Sequence, residues 1–193
     1  MRSISGTVDA ARQAADITET NVTVVDSDFT SRSMGMIVKE AAKAAQDGKT
    51  VEEILEIIED AKKRTTLYLT VVNLDNLIKG GRISQLMGMF SNLLNIKLFL
   101  QVINGKIEII QKGRGLKSLQ KKYDEIFEQM KSAPKGIQEI GIMHAGLSDF
   151  NEGNIARVRE LFPDVPLTIV TTSPIIMSHT GVDAMAITYL ENK

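Results

Sequence analysis

The chain has 193 residues, a hydrophobic fraction of 43%, a charged fraction of 24% and a net charge of −1. These values suit a soluble globular protein of one or two domains with a real core. They give no global electrostatic case for nucleic acid or an anionic membrane, and the absence of cysteine excludes disulfides, thiol catalysis and thiolate metal sites.

Two histidines are too few for a multi-histidine metal site. No apolar run reaches the roughly 18 residues of a membrane span. A cytoplasmic protein without an integral membrane segment is therefore expected. Ser5-Gly6-Thr7 opens a helix over 7–16, with Val8, Ala11, Ala14 and Ala15 on one face. An α/β domain normally begins with a strand, so further strands are expected upstream of Met1. Residues 22–26, a β-branched run, read as a buried strand. Helical spacing returns over 31–46, and Gly48 supplies a left-handed stop. Thr50 and Glu53 then frame a capping box for a helix with Ile54, Leu55, Ile57 and Ile58 facing inward. Residues 1–64 thus read as the remainder of a βα domain.

A strand over 66–72 opens the second unit, 65–193. A short helix ends at Gly80-Gly81, and a second, apolar helix is predicted over 83–94. Residues 98–103 and 106–111 form a hairpin across Asn104-Gly105, a pair that tolerates positive φ. A basic helix covers 115–131. Strand 139–144, helix 149–162 and strand 167–171 follow in βαβ rhythm, and 185–190 makes a last strand.

Candidate chemistry gathers in a few places. Arg82, delivered by two glycines, can bind a carboxylate or phosphate through its fork of donors, although a helix cap followed by a solvated arginine explains the same residues. It is not part of a P-loop, since GxxxxGK[ST] is absent. His179, in a turn between Ser178 and Thr180-Gly181, can hydrogen-bond a carboxylate or simply be satisfied by backbone. Ser5-Gly6-Thr7 presents hydroxyls and free amides at a helix start, as an anion site or an ordinary N-cap. Met87, Met89, Phe90, Leu93 and Leu94 can line a tail cavity or fill a core. Lys112, Arg114, Lys117, Lys121 and Lys122 form either a solvated basic face or a docking patch for an ATP-bearing or acidic partner. His144 reads as a buried, hydrogen-bonded histidine.

In this order these motifs resemble the DegV family of bacterial fatty-acid-binding proteins, along essentially the whole chain. The matching residues are Ser5-Gly6-Thr7, Val25-Asp26-Ser27, Gly80-Gly81-Arg82-Ile83-Ser84, Leu93-Leu94-Asn95-Ile96-Lys97, Lys112-Gly113-Arg114-Gly115 and Ser178-His179-Thr180-Gly181. The resemblance implies a two-domain α/β fold, here a truncated first βα domain plus a second α/β domain with a mixed sheet. It implies one long-chain fatty acid, such as palmitate or oleate, in a tunnel between the domains, with no cofactor and no catalysis by the chain itself. Ser5, His179 and Thr180 would hold the carboxylate, and Arg82 and Arg114 would lie at the head-group mouth, where an ATP-binding fatty acid kinase subunit arrives. Met87, Phe90, Leu93, Leu94 and Ile96 would line the tail pocket.

The sequence departs from the family pattern in three ways. The family's first strands and a head-group Thr-Ser motif lie upstream of Met1. Met34-Gly35-Met36 replaces a glycine-richer turn, and Leu98 stands where proline is common. Two alternatives stay open: a small hydrolase or phosphotransferase using His179, and a truncated remnant that binds nothing.

Overall fold

The computed structural model describes residues 1–82 and 95–193. Six strands are present: β1 (Thr65–Val71), β2 (Ile96–Ile103), β3 (Lys106–Arg114), β4 (Ile137–His144), β5 (Leu167–Thr171) and β6 (Met185–Glu191). They form one mixed sheet in the order β3-β2-β1-β6-β4-β5. β4 and β5 run parallel, joined through α6 (Asp149–Leu161), and the other neighbouring pairs are antiparallel. The remaining described helices are α1 (Thr7–Ile17), α2 (Ser31–Gln46), α3 (Val51–Arg64), α4 (Asp75–Lys79), α5 (Leu116–Lys131) and α7 (Pro174–Thr180).

Strand alternation divides the core in two. On one face Tyr68, Phe99, Ile140, Ile142, Ile187 and Tyr189 pack under α5 and α6, whose Tyr123, Phe127 and Val158 complete the largest buried cluster. On the other, Leu67, Met143 and Ala186 meet Ile37 of α2 and Ala61 of α3. The expected α/β class with a mixed sheet is what the chain adopts.

Polar anchors fix α2 and α3 on the second face. The Ser33 hydroxyl donates to Thr188 at 2.8 Å in a fully buried pair, and Glu139 binds Lys39 at 2.9 Å and Arg32 at 3.2 Å. Gly141 makes room for Arg32, because a β-carbon there would sit 2.6 Å from its Cγ. α2 lies against β1, β4 and β6, and α3 against β1 and β6.

Locally encoded elements form where the sequence places them. Asn104 (φ 49°) and Gly105 (φ 69°) turn the β2–β3 hairpin, with Ile103 opposite Lys106. Both halves of the Thr50–Glu53 capping box are present, with the Glu53 amide donating to Thr50 Oγ1 at 3.3 Å and the Thr50 amide donating to Glu53 at 2.9 Å.

In α1 Val8 is buried and Ala15 half-buried, while Ala11 and Ala14 are exposed. Two expectations are corrected. Residues 22–26 join none of the six strands; a β-branched run becomes a strand only where a neighbour offers a ladder. His179 sits in the last turn of α7, not in an irregular turn, because Pro174 starts a short helix that Gly181 (φ 76°) ends. The helix expected over 83–94 lies outside the described residues.

Candidate functional site

On the second face, the part of the sheet that α2 and α3 leave uncovered is the floor of a cavity of about 760 Å³. Ala184 and Ala186 make the middle of that floor. Ala186 pairs with Leu69 of β1 on one side and Met143 of β4 on the other, so two small side chains lie in a trough between larger ones. Leu100, Val102 and Ile107 of the hairpin extend the floor, and Val8 and Ala11 of α1 with Val24, Val25 and Phe29 form the opposite wall. A cavity of this size, largely apolar with few polar groups, has the form of a small-molecule site.

The polar groups come from three places: the start of α1, the end of α4, and α7. The ring of His179 lies against Gly80, and a β-carbon on Gly80 would collide with Nδ1. That nitrogen is buried with no hydrogen-bond partner among the described residues. A bare lone pair is a cheaper orphan than an unmet N–H, which favours the tautomer with hydrogen on Nε2, the nitrogen left to serve the cavity. Asn76 of α4 donates to the Ser178 carbonyl at 3.1 Å and locks α7 in place.

Ser5 lines the same cavity. Its hydroxyl shares one hydrogen bond with Thr7 Oγ1 at 2.8 Å, so one of the two hydroxyl protons remains to give elsewhere. Arg82 reaches back to the Ile4 carbonyl at 3.4 Å and the Gly80 carbonyl at 2.9 Å, tying the end of α4 to the entry of α1. These two donors leave the guanidinium at the mouth, where Arg2, Ser3, Gly6 and Gly81 enclose a smaller polar recess of about 270 Å³. Asp26 also lines the cavity. Burial alone would raise its pKa, but the Met1 ammonium at 2.7 Å and the Asp28 amide at 3.0 Å hold its carboxyl below the usual range.

Ser5, Arg82, His179 and Thr180 are therefore brought together around one cavity. The Thr180 hydroxyl, however, donates back to the Ile176 carbonyl at 3.1 Å, as helical threonines do, so its proton is already engaged. Ile96 packs beside Val71, Leu74, Leu98 and Leu100 in a separate small cluster, and Arg114, opposite Ile96 at the end of β3, is exposed; neither lines the cavity. Met87, Phe90, Leu93 and Leu94 lie outside the described residues. His144 alternates with Met143 and so faces the α5–α6 side, away from the cavity; its Nδ1 is buried without a partner among the described residues, where a hydrogen-bonded ring was expected.

Sequence reasoning missed the floor and the Phe29 wall. The legible signal was alanine at 186 in a strand and at 184 just before it, where small side chains fit a pleated surface poorly unless space is needed above them. Among the described residues no cluster of three or more potential ligands could hold a metal ion, and no helix is long and apolar enough to cross a membrane.

Comparison with known proteins gives consistent results. The family model described as "Uncharacterised protein, DegV family" matches residues 2–192. A DegV domain-containing protein of Streptococcus pneumoniae is 41% identical over 184 residues, covering 95% of this chain and 65% of that protein, so the chain spans about two thirds of that relative's length. Among solved structures, a fatty-acid-binding DegV family protein from Streptococcus agalactiae superposes with a TM-score of 0.85 at 26% identity, covering 99% of this chain and 68% of the other. The fatty acid kinase B3 protein of Streptococcus pneumoniae, loaded with linoleic acid, gives 0.81 at 26% identity, covering 100% and 69%.

Proposed function

The chain belongs to the DegV family, and on that premise we propose that it binds one long-chain fatty acid, such as palmitate or oleate, in the cavity between α1, α7 and the sheet. The observation that carries this reading is a largely apolar cavity of about 760 Å³ with His179, Ser5 and Arg82 at its polar rim. Tail burial is favourable by about 0.8 kcal/mol per methylene, so the tail supplies most of the affinity. The His179 Nε2 hydrogen and the Ser5–Thr7 hydroxyl pair fix the carboxylate, and Arg82 adds charge at the mouth.

The chain acts as a carrier and does not itself catalyse. It presents the carboxylate to an ATP-binding fatty acid kinase subunit, a role supported by the fold shared with the fatty acid kinase B3 protein. Arg82 and the basic residues around Arg114 are the partner-facing charges in this reading. A hydrolase would need a nucleophile activated by His179, but the Ser178 hydroxyl donates to the Ile175 carbonyl at 2.8 Å and that of Thr180 to Ile176. Both adjoining hydroxyls are thus directed into their own helix.

Native mass spectrometry of the purified chain, followed by organic extraction, tests the proposal. A stoichiometric fatty acid, co-purified or taken up from added oleate or palmitate, is expected. A chain that remains empty in both conditions would overturn it.

A further inference from the structure

The cavity floor does not run the length of the sheet. It passes from Ala184, just before β6, to Ala186 within it, and the next position on the same face, Thr188, is covered by Ser33 of α2 through their buried 2.8 Å hydrogen bond. The trough therefore ends where α2 lands. At that step stands Phe29, which lines the cavity and also belongs to the buried cluster containing Ile37 and Ala61. Ile37 and Ala61 do not line the cavity, so one side of the Phe29 ring meets open volume and the other meets packed core.

The backbone holding this ring is constrained from both sides. Asp28 (φ 57°) and Ser31 (φ 54°) occupy the left-handed region without being glycine. The Ser27 hydroxyl donates to the Phe29 carbonyl at 3.1 Å, and the Asp28 amide donates to Asp26 at 3.0 Å. The Asp28 carboxylate is clamped by Lys62 of α3 at 2.7 Å, and it lies so near the hairpin turn that a β-carbon on Gly105 would come within 2.6 Å of it. Strain of this kind persists where the surroundings over-determine it. The backbone that carries the ring is thus held in place, and phenylalanine has fewer rotatable bonds than methionine with which to yield.

We propose that Phe29 is the stop against which the methyl end of the acyl chain abuts, and that it sets the longest chain the protein accepts. This inference rests on the fatty-acid reading above. The polar rim sets where the chain begins and Phe29 sets where it ends, so chain length is selected by the distance between two fixed points.

The test is competitive binding of saturated fatty acids of graded length to the wild-type chain and to Phe29→Ala, Phe29→Leu and Phe29→Trp. Opening the wall should move the preferred length upward. The affinity ratio of an acid two methylenes longer to the wild-type optimum should rise about tenfold in Phe29→Ala. Phe29→Trp should move the optimum downward. Should Phe29→Ala fail to fold, Phe29→Leu and Phe29→Trp carry the comparison, since they keep an apolar side chain of roughly the right size. Variants that bind with the wild-type length profile would overturn the Phe29 stop while leaving fatty acid binding intact. A wild-type chain that binds no acid of any length would overturn the reading beneath it.

Discussion

Gly80 is constrained by a neighbour in space and not by its own backbone. Its φ of −76° suits any residue, yet a side chain there would meet the His179 ring. Gly81 is the reverse case: φ is 71° with open space around it. Gly80→Ala should therefore displace His179 and weaken fatty acid retention, whereas Gly81→Ala should cost about 1 kcal/mol of stability from backbone strain and leave the His179 ring in place. Binding and thermal melts of the two variants, side by side, check this. His179→Ala removes a donor to a charged ligand group, worth about 1.5–3 kcal/mol, so affinity should fall roughly ten- to hundredfold; an unchanged affinity would remove His179 from the site. The sequence singled out the glycine pair and His179 as candidates, but not that Gly80 leaves room for the His179 ring. The two positions are a hundred residues apart, and only the packing of α4 on α7 joins them.

Among the elements, those encoded by near neighbours were legible. The hairpin, the Thr50 cap and the βαβ unit depend on turn geometry, local side-chain bonds and periodicity, and each forms within about three residues of where the sequence puts it. Thr50→Ala removes one half of the capping box and should lower stability by about 1 kcal/mol, read as a drop in Tm without loss of helix elsewhere. Residues 22–26 were misread because the path of the segment they open is set from a distance. Lys62, Gly105 and the Met1 ammonium hold it in an irregular path, and none of these contacts leaves a periodic trace. For the same reason nothing in the sequence singles out Phe29.

For the whole molecule, the three tyrosines give a pH-dependent signature. Tyr68, Tyr123 and Tyr189 all belong to the cluster under α5 and α6, and burial raises each phenol above its ordinary value, that of Tyr189 to about 12. Unfolded phenols ionise at about pH 10. The folded state therefore holds protons that the unfolded state releases, and stability that is complete below pH 10 should decline steadily between about 10 and 12. Melting temperature against pH should show that decline, and phenolate absorbance of the native chain should stay flat until unfolding. Normal titration of any tyrosine in the folded protein would contradict the packing described. At this scale the sheet class was readable from strand count and order of elements. The cavity was not, because its floor combines strands far apart in the chain.

The placement of β6 has a kinetic consequence. The strand lies between β1 and β4, and the Thr188–Thr66 hydrogen bond closes a span of 122 residues. During synthesis β1 can zip with the hairpin early, but its other edge stays bare until β6 has emerged. Ala184 and Ala186 arrive with that last insertion. The cavity floor is therefore completed only when β6 joins β1 and β4, and a nascent chain stalled short of β6 carries the exposed edges of a split sheet and an unfinished cavity.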